Sequence, residues 1–124
     1  MKSVSLGTAA LLTFLTLGAH ASDKFPVNKT GGMLVDSKGM TVYTYDKDTA
    51  GSEKSACYGK CAENWPPVMA GDSPAPADFS TFKRADGSTQ IAYKGKPLYT
   101  FVKDKKAGEK AGDKVMKVWH VVTD

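Results

Sequence analysis

Two tyrosine-led segments, 56 positions apart, constrain this chain more than anything else in it. Tyr43-Thr44-Tyr45 returns as Tyr99-Thr100-Phe101, Lys38-Gly39 as Lys94-Gly95, and Asp48 as Asp104. With one residue of slippage Ala50-Gly51 meets Ala107-Gly108, and Trp65 answers Trp119 at a spacing of 54. A spacing held across several residue types marks an internal repeat, and a repeat too small to bury its own apolar face must bury it against its neighbour. A chain of 124 residues has room for one such core, not two. The expectation is a mainly β, small single domain of two pseudo-symmetric β-hairpin repeats, about 32–69 and about 88–124.

The local pattern supplies the elements. Gly32–Asp36 and Met40–Tyr45 read as strands around the turn Ser37-Lys38-Gly39, where glycine offers a positive φ. Asp46–Ser55 is polar and reads as a loop. Ala56–Trp65 is too short for a long helix and is stopped by Pro66-Pro67, so it predicts one short helical turn at the cysteines. Ala70–Ala77, rich in Pro, Gly and Ala, predicts an exposed connection. Phe79–Arg84 and Thr89–Tyr93 alternate around Asp86-Gly87, a hairpin signal. Lys94-Gly95-Lys96 turns into a strand over Pro97–Val102, and after the loop Lys103–Lys114 a last strand is expected over Val115–Val122.

The amino end reads as a secretory signal. Lys2 precedes a short apolar run centred on Ala9–Leu17, and Ala19-His20-Ala21 forms an A-x-A cleavage pattern. The run falls short of the roughly 20 apolar residues of a membrane span. The expectation is cleavage after Ala21, a loose polar lead-in over 22–31, and a domain from 32 to 124 that is periplasmic or secreted with no transmembrane segment in the mature chain. The formal net charge of +4 drops by one with Lys2, and the charges are interspersed. Such a balance favours solubility and does not point to nucleic acid.

Cys57 and Cys61 are the two cysteines, an even count that argues for one disulfide in an oxidising compartment. Residues four apart on a helical turn lie on one face at a bridgeable distance. Two alternatives stay open. One is a redox-active dithiol, although the spacing is C-x-x-x-C and not C-x-x-C. The other is copper, held by Cys57, Cys61 and His120, with Met33, Met40, Met69 and Met116 as thioether candidates. His120 also stands out as the one histidine of the mature chain.

The residues Tyr43-Thr44-Tyr45-Asp46-Lys47-Asp48 and Tyr99-Thr100-Phe101-Val102-Lys103-Asp104 form two copies of a Tyr-x-aromatic-x-x-Asp motif. With the intervening Ser55–Pro67 segment, Tyr93–Tyr99 and Val118–Val122, they make the chain resemble the bacterial secreted-repeat proteins, often described as predicted lipoproteins. The resemblance runs from Gly32 to Val122. It implies a secreted or envelope location and a duplicated β unit, and it carries no settled activity. Ser22 stands where a lipidated cysteine would follow the cut, so membrane attachment is not carried over.

Within the motifs, Tyr43, Tyr45, Tyr99 and Phe101 are expected as half-buried strand residues packing across the core. A ligand platform is the alternative. Asp48 and Asp104 are expected to hold the turn after each strand, with paired acid–base or metal-binding carboxylates as the alternative. No hydrolase motif joins an acid to a histidine or serine. The leading reading is therefore a non-enzymatic envelope protein without a cofactor, an interaction module for another envelope protein or a small ligand. The second is the periplasmic copper-binding or thiol-redox protein.

Overall fold

The structure, a computed structural model, describes residues 24–123. The signal-peptide reading of residues 1–21 lies outside the described residues. Seven strands and one short helix are present among those described: β1 (Val27–Thr30), β2 (Met33–Asp36), β3 (Tyr43–Tyr45), α1 (Lys60–Asn64), β4 (Phe79–Lys83), β5 (Thr89–Tyr93), β6 (Lys96–Pro97) and β7 (Trp119–Val121). They form three small antiparallel sheets, β1-β2, β3-β7 and β4-β5-β6.

The mainly β, duplicated architecture agrees with the sequence pattern, and the repeats interlock rather than sit side by side. β3 of the first repeat pairs with β7 of the second, with Tyr43 opposite Val121 and Tyr45 opposite Trp119. The repeat-related contact pairs Tyr99 with Pro67, supported by Thr100 and Val102 N–H donating to the Pro66 and Asn64 carbonyls. At the centre, Tyr43 and Tyr99 donate N–H to each other's carbonyl at 2.7 and 2.9 Å. Two equivalent residues exchanging both backbone bonds place a pseudo-twofold axis between them.

Two clusters fill the interior. The aliphatic one holds three repeat-related pairs, Leu34 with Ile91, Val42 with Leu98 and Val68 with Val122, closed by Val27 and Tyr93. The aromatic one holds Tyr43, Trp65, Tyr99, Phe101 and Trp119 with Cys57. The Lys-Gly turns show why both repeats retain glycine. Gly39 and Gly95 each sit at φ +83, and each faces the Ala-Gly loop of the opposite repeat. A Cβ on Gly95 would meet Gly51 N at 2.7 Å, and one on Gly39 would meet Ala107 Cβ at 3.1 Å.

Several boundaries differ from expectation. Val27–Thr30, placed in the loose lead-in, is strand β1 and covers the free edge of β2. Val27 is the buried anchor of an otherwise exposed strand, so local polarity hid it. The strand expected over Pro97–Val102 is confined to Lys96–Pro97, after which Tyr99 bridges both Tyr43 and Pro67. The last strand begins at Trp119, not Val115. Val115–Lys117 is a 3₁₀ turn in which Met116 and Lys117 take φ +51 and +62, after Lys114 at +68. β3 likewise begins at Tyr43, because Met40–Val42 engages β2 through only the Val35–Thr41 bridge and two backbone bonds.

Candidate functional site

The repeated motif residues meet across the pseudo-twofold axis. The Tyr43 hydroxyl donates to Asp104 Oδ2 at 2.6 Å, and the Tyr99 hydroxyl donates to Asp48 Oδ2 at 2.6 Å. Each tyrosine thus bonds the aspartate of the other repeat. The second carboxylate oxygens accept backbone N–H groups of the following loops, Ala56 on Asp48 and Ala111 on Asp104, both at 2.7 Å. The hydroxyls have further partners: Gly112 N–H donates to Tyr43, and Ser55 shares a bond with Tyr99. The aspartates therefore do more than hold the turns expected of them. They tie each long loop to the partner repeat.

Burial raises the pKa of both hydroxyls, Tyr43 and Tyr99, and the adjacent carboxylates push the same way. Burial also raises Asp48, against the opposing pull of Tyr99, Ala56 and the Arg84 charge. Tyr43 and Tyr99 are fully buried, beyond the half-burial expected of strand aromatics, whereas Tyr45 is half-buried.

The remaining motif aromatics build a column. Phe101 stacks on Trp65 at 3.9 Å, Trp65 on Trp119 at 3.8 Å and Trp119 on Tyr45 at 4.2 Å, with interplanar angles of 17°, 3° and 12°. The two repeat-related indoles lie at its centre, astride the axis. Gly112 packs on the rings of Trp65 and Phe101. Beside the two indoles runs a groove of about 370 Å³, lined by Tyr45, Lys47, Cys61, Asn64, Trp65, Met116, Val118 and Trp119. Asn64 and Val118 are repeat mates, so the groove lies across the axis, between α1 and the left-handed Met116 turn. Met116 is 81% exposed.

Cys57 and Cys61 are bonded to each other across a Cα separation of 5.2 Å. Cys57 is buried among the aromatics, and its carbonyl accepts from Arg84 Nη2 at 2.7 Å. Arg84, missed in the sequence, is 4% exposed, donates also to Gln90 Oε1, and lies 4.3 Å under the Tyr58 ring. Nothing at its repeat-equivalent position signals this role. Gly112 had a signal, since Ala111-Gly112 falls 56 residues after the equally small Ser55-Ala56.

The copper candidates do not assemble into a ligand set. The sulfurs of Cys57 and Cys61 are used on each other, and His120 Nε2 lies 2.8 Å from Asp46 Oδ2 at an exposed site. Among the described residues no three His, Cys, Asp or Glu side chains gather as a metal site. His120 and Asp46 instead line a second groove of about 320 Å³ with Lys94 and Lys96. A third, of about 570 Å³, borders Lys24, the first described residue. No helix of the described residues is long and apolar enough to cross a membrane.

Two stretches of the chain, 26–69 and 80–123, each match the model of a family described as a secreted repeat of unknown function. The chain belongs to that family of secreted repeats. The two matched copies fall on the two halves that exchange Tyr–Asp bonds across the axis, so the secreted-repeat unit corresponds to one half of the interlocked domain. The first copy begins at residue 26 and therefore includes β1. No curated protein and no solved structure matches this secreted-repeat chain.

Proposed function

We propose that this protein is a non-enzymatic binding module of the cell envelope, periplasmic or secreted, whose ligand face is the axial groove beside Trp65 and Trp119. The observation that carries the reading is the groove itself: about 370 Å³ beside a four-ring aromatic column, with an exposed methionine at its lip. That volume falls in the range of small-ligand sites, which are mostly apolar with a few placed polar groups. Lys47 and Asn64 supply the polar groups here.

The motif hydroxyls and carboxylates support a structural rather than catalytic use. Tyr43, Tyr99, Asp48 and Asp104 spend their hydrogen-bonding capacity on one another and on loop backbone. Pseudo-symmetry is broken where the groove opens. α1 in the first repeat is answered by the left-handed Met116 turn in the second, and backbone held in such conformations concentrates at functional sites.

The test is titration with 1-anilinonaphthalene-8-sulfonate, an aromatic anion suited to apolar walls and Lys47. Saturable dye fluorescence with quenching of the tryptophans is expected. Met116→Glu, a substitution at an exposed side chain, should weaken binding at least tenfold and leave the melting temperature in place. Dye binding that is unaffected by Met116→Glu, or absent from the unaltered protein, refutes the groove as the ligand face.

A further inference from the structure

The second long loop separates in space the charges that the sequence intersperses. Residues 102–117 hold six lysines, Lys103, Lys105, Lys106, Lys110, Lys114 and Lys117, against the three acids Asp104, Glu109 and Asp113. All six lysines are exposed, whereas Asp104 is buried and Glu109 and Asp113 are half-buried. The acids turn onto backbone. Asp104 accepts from Ala111 N–H, Glu109 from Lys105 and Lys106 N–H, and Asp113 from Val121 N–H. Among the described residues the ion pairs are Arg84–Asp86 and His120–Asp46, so none of the six ammonium groups is neutralised by a carboxylate. Lys105 Nζ is held 3.3 Å from the carbonyl of Val102.

The same loop exposes apolar groups near its two ends. Val102 is 40% exposed and Met116 81% exposed, two of the four large apolar side chains so exposed among the described residues. The equivalent stretch of the first repeat, 46–61, lacks this character. It carries three lysines and three acids, and Asp46 and Glu53 are exposed. The fold of a repeat therefore does not require a basic loop, and the second repeat alone has one.

We propose that the loop 102–117 docks the protein reversibly on an anionic lipid bilayer. The lysines lie against the headgroup phosphates, and Val102 and Met116 reach the apolar boundary beneath them. Lysines gain energy from an anionic surface within about a Debye length of it. Apolar side chains among them add contacts that a bilayer offers and a dissolved anion does not. That pairing of unneutralised lysines with exposed apolar groups selects the lipid surface over a soluble phosphate or polyanion.

The experiment is cosedimentation of the chain freed of residues 1–21 with two kinds of vesicle, phosphatidylcholine alone and phosphatidylcholine mixed with phosphatidylglycerol. Binding to the mixed vesicles alone is expected, with release as salt rises from about 0.1 M to about 1 M. Lys106→Glu/Lys110→Glu should weaken that binding by about twentyfold or more and leave the melting temperature in place. Lys54→Glu/Lys60→Glu alters the net charge equally from the other repeat and should weaken it far less. Val102→Asn, which changes no charge and lies outside the groove beside Trp65, should weaken it several-fold. Soluble glycerol phosphate at millimolar concentration should not release the protein. Should the glutamate variant melt early, Lys106→Gln/Lys110→Gln decides, with a loss of about fivefold or more expected. No binding by the unaltered chain overturns the proposal. So do equal losses from the two glutamate pairs, unchanged binding by the glutamine or Val102→Asn variant, and release by glycerol phosphate.

Discussion

Adding one methyl group at Gly112 probes the aromatic column directly. The φ of Gly112 lies outside the left-handed region, so alanine meets no backbone penalty there. Its Cβ would instead lie 2.7 and 2.8 Å from two ring carbons of Trp65 and 3.0 Å from Phe101. Ordinary carbon contacts are near 3.5–4.0 Å, so about 1 Å of overlap must be relieved. Trp65 cannot slide away along the stacking direction, because Phe101 and Trp119 hold its two faces at 3.9 and 3.8 Å. Overpacking of this kind costs about 1–3 kcal/mol. Replacing glycine by alanine returns about 0.4–1 kcal/mol by restricting the unfolded chain. The net loss should be about 1–2 kcal/mol, a fall in melting temperature of roughly 5–15 °C for a domain of this size. The assay is urea denaturation followed by tryptophan fluorescence, with an unchanged m-value showing that the midpoint shift reports stability. Gly71→Ala is the control, since that glycine has open space around its Cβ position and no positive φ. If Gly112→Ala is as stable as Gly71→Ala, the column is not the rigid element described.

Three further outcomes are expected. Trp65→Ala, which removes a side chain 6% exposed from the middle of the column, should cost about 3–5 kcal/mol in denaturant unfolding. Reducing the Cys57–Cys61 bond, or replacing both cysteines by alanine, should cost about 2 kcal/mol or less because the closed loop is so short, and the chain should still unfold in one cooperative step by calorimetry. The raised pKa values of Tyr43 and Tyr99 favour their protonated forms in the fold. Their contribution is complete below the ordinary tyrosine value of 10.0 and is lost as pH climbs above it. Stability should therefore fall steeply above about pH 10, and the tyrosinate absorbance of these two residues should appear together with loss of ellipticity. Tyr99→Phe should lessen the steepness, and an unchanged slope would count against burial as the cause.

Legibility in the sequence varied with how local the signal was. The β4–β5 hairpin was plain, because alternation around Asp86-Gly87 is settled within fifteen residues. The helical turn was marked by Pro66-Pro67; the cysteines are bonded as their even count suggested, but Cys57 precedes α1, so the bond ties the incoming loop to the helix and does not span one helical turn. β1 was missed because three of its four side chains face solvent and only Val27 reports burial. The Met116 turn was missed because Val115-Met116-Lys117-Val118 alternates as a strand would, and nothing local reveals that the backbone turns left-handed there. Arg84 was missed because a buried arginine looks the same as a surface one until Gln90, the Cys57 carbonyl and the Tyr58 ring converge on it.

By itself the sequence determined that this protein is duplicated and β-rich, since residue types recurring at one spacing and alternating along short segments carry that information directly, and its motifs resemble the secreted repeats whose family it joins. Only the tertiary structure decided that each tyrosine reaches the aspartate of the opposite repeat, and that the two tryptophans stack on the axis with a groove beside them. The physical reason is that a repeat spacing records which residues are equivalent but not which are in contact. Whether equivalent residues pack within a repeat or across it is settled by which arrangement buries the aromatic rings, a property of the whole interior.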